Sequence, residues 1–405
     1  MKVFIPDPPI LIQTPAQRAA SIAVEQAEIA FQSGTFGVGG LMIDNETTNV
    51  LALARNQVFA NRQIVDPTGH VERQLVDWYY QQINAGAKLP NPEDITIVSS
   101  LDPCVMCCGA MLEAGFNVIS VARDERAGVT YKALGDFSAV PVFLRSRARR
   151  KMAYFGVRGD RRRPYNGPRN AIFAGHYIEK NLVDRSSATF ANSLKSVDIA
   201  NRFVPGIENL KSLATVNRNG PLWAKLKKCS PHLQSLGLNA GQSVNANLAK
   251  LLLAESAKAK ARGAGANAAA LIAPDGYVLH VATDAKDKSP VRGAFMELTR
   301  GYAILRAEAG KPGTRYLPHP RHCKIVLLHG PGKDAIGFMQ LGAVGSTMEG
   351  PVPPENRDWL TYLIPMQTKA ELQKMVAALP PMYRRDIQVW PVQTDDAGAL
   401  RTCRL

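Results

Sequence analysis

No apolar run in this chain approaches the ~18 residues that a bilayer-spanning helix needs, which argues against a membrane protein. The opening MKVFIPDPPILIQTP is too rich in proline, and its apolar part too short, for a secretory signal. A cytoplasmic location is the expectation. Cysteine is scarce: six in 405 residues cannot make a disulfide framework at this length. Acid is in deficit too, with 34 Asp and Glu against 49 Lys and Arg, a formal net charge of +15. Such an excess points to a polyanionic partner, because each basic side chain placed on a phosphate releases counterions. It is densest in RSRARRKMAYFGVRGDRRRPYNGPR, residues 145–169, where Arg145, Arg147, Arg149, Arg150 and Arg161–Arg163 dominate. A solvated basic face would have the same composition.

What is present is ordinary globular material. At 46% hydrophobic and 20% charged the chain can bury a core, and its length exceeds the ~150 residues of one typical domain. Residues 14–33 read as an amphipathic helix that Thr14 can cap, with Pro15 at the first helical position and Gly34 as the stop. GVGGLMID and Val50–Ala54 read as strands around a turn, and HVERQLVDWYYQQI as a helix. ITIVSS is a buried strand, PCVMCCGAMLEAG a helix and NVISVAR another strand. Strands alternating with helices predict a layered α/β domain.

The order then repeats. Residues 245–262 read as a helix closed by Gly263, and AAALIAPDGYVLHVATD as strand, turn, strand. FMELTRGYAIL and KIVLLHGPGKDAIGFMQLG stand where HVERQLVDWYY and TIVSSLDPCVMCCGAMLEAG stood. Gly34 and Pro103 are 69 positions apart, Gly263 and Pro331 68. Two copies of one fold are expected: residues 1–165 and 244–405, joined by a partly helical basic connector over 166–243.

Three cysteines crowd at 104, 107 and 108, which suggests metal binding or catalysis, whereas Cys229, Cys323 and Cys403 read as buried apolar cysteines. Cys104 and Cys107, one turn apart at a helix start, can offer two thiolates to one metal. His70 would complete three ligands and leave a fourth tetrahedral position for water, the open geometry of catalytic zinc. Glu72, two residues from that histidine, is placed to move protons without being a ligand. Cys108 points about 100° away around the helix from Cys107.

His70-Val71-Glu72 followed by Pro103-Cys104-Val105-Met106-Cys107 resembles the signature of the zinc-dependent cytidine/deoxycytidylate deaminase superfamily. Asn56, DPTGHVE at 66–72 and LDPCVMCCGAM at 101–111 are closest to its tRNA adenosine deaminase and guanine deaminase group, with Val71, Asp102 and Cys108 as departures. The resemblance covers roughly residues 15–135. It implies tandem cytidine-deaminase-like α/β/α layered domains, the second a pseudo-domain. It also implies Zn²⁺ on His70, Cys104 and Cys107, Glu72 as the catalytic acid–base, and Asn56 hydrogen-bonding the bound base or its sugar. The expected reaction is hydrolytic loss of an exocyclic amine from a nucleobase. The favoured substrate is an adenosine in tRNA-like RNA, and the alternative a free aminopurine, aminopyrimidine or related metabolite. A non-catalytic, zinc-stabilised RNA-binding protein is the third reading, which a retained Glu72 disfavours.

In the second copy Phe295-Met296-Glu297 replaces His-x-Glu, and Pro331-Gly332-Lys333-Asp334-Ala335 replaces Pro-Cys-x-x-Cys. Glu297 and Pro331 read as relics, and Phe295, Gly332 and Ala335 as lost ligands. His322 and His329 nearby read as surface residues. Because the superfamily generally works as dimers or larger oligomers, the degenerate copy is expected to act as an internal partner, with room for further self-association.

Overall fold

The computed structural model describes residues 15–129, 137–160, 172–173, 176–201, 207–347, 356, 359–386 and 392–393. Arg161–Arg163 and Cys403 lie outside them. Helix α1 (Pro15–Gln32) opens on a proline and ends before Gly34, whose φ of 82° only glycine adopts freely. Its buried face is nearly all alanine, from Ala16 to Ala30. Small side chains let it lie directly on β1 (Gly39–Asp44): a Cβ on Gly39 would stand 2.3 Å from the Ala27 nitrogen. β2 (Val50–Arg55) returns antiparallel to β1, and a hairpin of β3 (Phe59–Ala60) and β4 (Gln63–Ile64) precedes α2 (Val71–Asn84). β5 (Ile95–Leu101), α3 (Val105–Ala114), β6 (Asn117–Ala122), α4 (Val142–Lys151) and β7 (Met152–Tyr154) complete a sheet of order β2-β1-β5-β6-β7. β1 and β5 are antiparallel, whereas β5, β6 and β7 run parallel.

The segment between the copies does more than connect them. β8 (Gly156–Val157) pairs with β9 (Tyr177–Ile178), and α5 (Lys180–Asn201) packs beside α1 on the outer face of the first sheet. Leu182 joins Ile22, Leu41, Val98 and Ile119 in one apolar cluster there. Further on, α6 (Pro221–Cys229) packs on the second half, and β10 (Gln234–Ser235) extends the second sheet.

That sheet is built from β11 (Ala268–Ile272), β12 (Tyr277–Thr283), β13 (Lys324–His329), β14 (Leu360–Ile364) and β15 (Val392–Gln393). Its order, β10-β12-β11-β13-β14-β15, repeats the first sheet after one added edge strand, with the same antiparallel and parallel pairings. α7 (Ala246–Ala261), started by the Asn245 side chain on the Leu248 amide, covers its outer face. α8 (Ala294–Thr314), kinked at Gly310, and α9 (Ala335–Thr347) cover the inner one. α10 (Lys369–Ala378) begins in a capping box of Thr368 and Glu371.

The halves meet through their inner helices, so that one apolar core runs from the first sheet to the second. α3 and α9 cross at backbone contact. A Cβ on Gly342 would lie 2.1 Å from the Met106 nitrogen, and one on Gly109 2.6 Å from the Met339 nitrogen. Beside this dry crossing lies a charged one: Arg300 of α8 reaches Asp77 at 2.9 Å and Asp66 at 3.3 Å. The half that carries the candidate ligands is thus packed, helix to helix, on the half that does not. No helix among the described residues is long and apolar enough to cross a membrane.

Candidate active site

His70 and Cys104 both stand at helix starts, where the chain turns from loop to helix: His70 precedes α2 and Cys104 precedes α3. These two N-termini converge beyond the end of β5. His70 Nδ1 lies 3.6 Å from Cys104 Sγ, and the ligand atoms of His70, Cys104 and Cys107 all fall within 4.8 Å of one another. Burial opposes charge on His70, but Cys104 beside it outweighs that and raises the imidazole above its ordinary value. Burial also works against the Cys104 thiolate, yet the hydrogen bond from Cys107 and the His70 charge hold it well below the usual thiol range. Burial and the adjacent Cys104 push Cys107 well up. Two sulfurs and an imidazole nitrogen at this spacing fit a borderline-soft divalent cation. Cys108 stands apart, with its sulfur 3.6 Å from Met152 Sδ in the core. One zinc per chain is therefore expected on metal analysis, retained by Cys108→Ser and lost from Cys104→Ala. Loss of the metal from Cys108→Ser would place that cysteine in the site after all.

Glu72 is 3% exposed, in the first turn of α2, and Ser99 Oγ donates to its Oε1 at 2.7 Å. Burial raises its pKa. Asn56 follows β2 and is held from behind: its Oδ1 accepts Thr35 Oγ1 at 2.6 Å and the Val58 amide at 3.0 Å. With the oxygen doubly engaged, the amide nitrogen is the group left for a ligand. Asn56, His70, Glu72 and Cys104 line one cavity of about 120 Å³. That is small beside the ~300–1,000 Å³ of drug-sized sites and suited to a single heterocycle.

The lining contributed by α5 and by the second half was not legible in the motifs. Phe190 and Leu194 come from α5, and Ser346 and Met382 from the second half. Ser99, which holds Glu72 from β5, is one of three hydroxyl residues on that strand and stood out in no motif. Of the basic run, Arg145 turns its guanidinium onto the Val140 and Ser138 carbonyls, and Arg150 donates to Ser146. Neither lines the cavity.

The second half has its own cavity of about 330 Å³ in the corresponding place, but the counterparts differ from those that sequence spacing suggests. α8 starts after Gly293, so Gly293 and Phe295 hold the helix positions that His70 and Glu72 hold in α2. Glu297 is no relic of Glu72: its carboxylate faces Arg292 at 2.6 and 2.9 Å, away from the cavity. The loop before α9 is two residues longer than the one before α3, so Asp334, whose carboxylate caps Gly337, stands where Cys104 stands. Gly332 lines the cavity, while Pro331 sets its carbonyl on Gln367 and Ala335 merely opens the helix. Asp284 replaces Asn56 at the strand end, with both carboxylate oxygens taken by the Ala294 and Asn267 amides. His329 also lines this cavity instead of sitting on the surface, and burial lowers its pKa.

Residues 13–123 match the family model of the cytidine and deoxycytidylate deaminase zinc-binding region. Among solved structures, a guanine deaminase from Nitrosomonas europaea is similar over 46% of this chain and 87% of its own, at 13% identity and a TM-score of 0.30. A structure from work on A-to-I editing by tRNA:A34 deaminases is similar over 31% of this chain and 89% of its own, at 22% identity and a TM-score of 0.25. The matched segment contains the whole of β1, β2, β5 and both candidate ligand loops. Residues 13–123 of this chain thus form a cytidine and deoxycytidylate deaminase zinc-binding region, the motif-bearing segment of a hydrolytic deaminase.

Proposed function

We propose that the protein removes the exocyclic amine from a free purine- or pyrimidine-type base or a nucleoside-sized derivative of one. The observation that carries the reading is the small size of the cavity, about 120 Å³, in which Phe190, Leu194 and Met382 line the same space as Asn56 and Glu72. His70, Cys104 and Cys107 would hold the metal, Zn²⁺ being the ion their chemistry fits. Bound there, zinc supplies Lewis acidity, which in open three-ligand sites lowers the pKa of water to ~7. The amide nitrogen of Asn56 would donate to a ring nitrogen or carbonyl of the base, fixing which carbon faces the metal. Ser99 fixes one Glu72 oxygen, so the carboxylate keeps its place while it takes a proton from water and passes it to the ring nitrogen. The oxygen of that water bonds to the amine-bearing carbon, and Glu72 then takes its remaining proton and gives it to the amine, so that the C–N bond breaks as the carbonyl forms and ammonia leaves. The surrounding apolar groups exclude bulk water from these transfers.

A second reading, an adenosine within RNA, draws on the +15 charge and the arginines of α4. One assay separates the two: ammonia release from the purified protein offered free bases, nucleosides and bulk tRNA. The small-substrate reading predicts turnover of a base or nucleoside with weak salt dependence. Release from tRNA alone, falling steeply with salt at ~0.7–0.9 per phosphate contact on a log–log scale, would reverse the choice.

A further inference from the structure

The ligand-bearing turn of the first half is gripped by two hydroxyls from the second. Val105, the residue after Cys104, donates its backbone N–H to Tyr383 Oη at 3.2 Å. Tyr383 Oη lies 2.7 Å from Ser346 Oγ, and Ser346 Oγ lies 3.5 Å from Cys104 Sγ. The direction of this ring of contacts is fixed by its ends. A backbone N–H can only donate, and a metal-binding sulfur can only accept. Tyr383 must therefore accept from Val105 and donate to Ser346, which donates to Cys104.

Packing holds the two hydroxyls in place. Gly342 lets α9 rest on the start of α3, and Gly345 lies flat against the Tyr383 ring, where a Cβ would come within 2.1 Å of a ring carbon. Tyr383 is fully buried, so its hydroxyl has no water to turn to. The Met382 amide donates to the Arg126 carbonyl at 2.9 Å, which ties this segment to the first half beside the cavity.

We propose that Ser346 and Tyr383, contributed by the half without ligands, are positioning residues for the Cys104 sulfur and thereby complete the metal site. This rests on the reading of His70, Cys104 and Cys107 as the metal ligands. Hydrogen bonds to a ligand sulfur orient it and withdraw charge from it, and outer partners of this kind are typically worth 10–100-fold in metal affinity or activity. The second half is then part of the site rather than a passive partner.

The test uses the full-length protein loaded with zinc, and in parallel with Co²⁺, in the variants Ser346→Ala, Tyr383→Phe and the double variant. Both substitutions only remove a hydroxyl. Zinc transfer to a chromogenic chelator should be ~10–100-fold faster in each single variant, and the sulfur-to-cobalt absorption band should shift. Because the hydroxyls act in series, the double variant should release zinc no faster than the worse single one. Release at the wild-type rate in both single variants, or an unmoved cobalt band, overturns the proposal while leaving the zinc site standing. So does a lower Tm with unchanged release below the unfolding transition. Wild-type protein that takes up no zinc overturns the ligand reading itself, a different failure seen before any variant is made.

Discussion

Glu72→Ala is expected to abolish ammonia release while zinc stays bound and the fold survives. General acid–base catalysis contributes ~10²–10⁴-fold, or roughly 3–5 kcal/mol of barrier. Here one carboxylate serves two transfers, so the loss should sit at or above the top of that range. The folding side of the change is mild. Burial already disfavours the ionised carboxylate, and alanine removes that cost in exchange for one unpaired hydroxyl donor at Ser99. Tm should therefore move by a few degrees at most, and metal analysis should read as in the parent. Turnover within tenfold of wild type would remove Glu72 from the chemistry.

The first site was legible because its chemistry is local. His70 and Glu72 lie on one helix start, Cys104 and Cys107 on another, and each pair shows as a short motif whose spacing is set by the helix itself. The sheet order was foreshadowed by alternating strands and helices, and the duplication by the matched intervals from Gly34 and Gly263. What stayed hidden depends on distance along the chain. Phe190 and Leu194 meet the cavity only because α5 packs on α1, and Ser346 and Tyr383 only because Gly342 admits α9 onto α3. None of these residues belongs to a pattern of its own. The second half shows how spacing misleads once a site is no longer held by its ligands. Glu297 kept the letter of His-x-Glu, but α8 begins too early for it to occupy the position of Glu72, and it serves Arg292 and Arg300 instead. A retained letter is evidence of site chemistry only when the helix start is retained with it.

Arg300→Leu is expected to be the most destabilising single change outside the apolar core. The guanidinium is 10% exposed and bridges the halves, reaching Asp77 and Asp66 of the first and Glu297 of its own helix. Breaking a buried pair from one side typically costs ~3–5 kcal/mol, because the partner is left charged without compensation. Asp77 would keep only Arg73, whose nearest nitrogen is 3.3 Å away. Its partners also predict how the effect depends on pH. Burial raises the Asp77 pKa, but Arg73 and Arg300 overcome this and hold it below the ordinary carboxylate value. A folded-state pKa lowered in this way contributes stability above the unfolded value of ~3.9, and that contribution is lost as pH falls through the folded value. The gap between wild type and Arg300→Leu should thus be widest near neutrality and narrow below about pH 4. Denaturant titrations at pH 7 and pH 3.5 measure both. Asp66 is bonded to Thr68, just before His70, so release of Arg300 also loosens the loop that carries the ligand. Zinc should leave Arg300→Leu faster than wild type at pH 7, well below the unfolding transition. A variant as stable as the parent at neutral pH would show that the charged crossing contributes nothing and that the glycine contact of α3 with α9 holds the halves alone, and equal destabilisation at both pH values would show that Arg300 acts through packing and not through its charge.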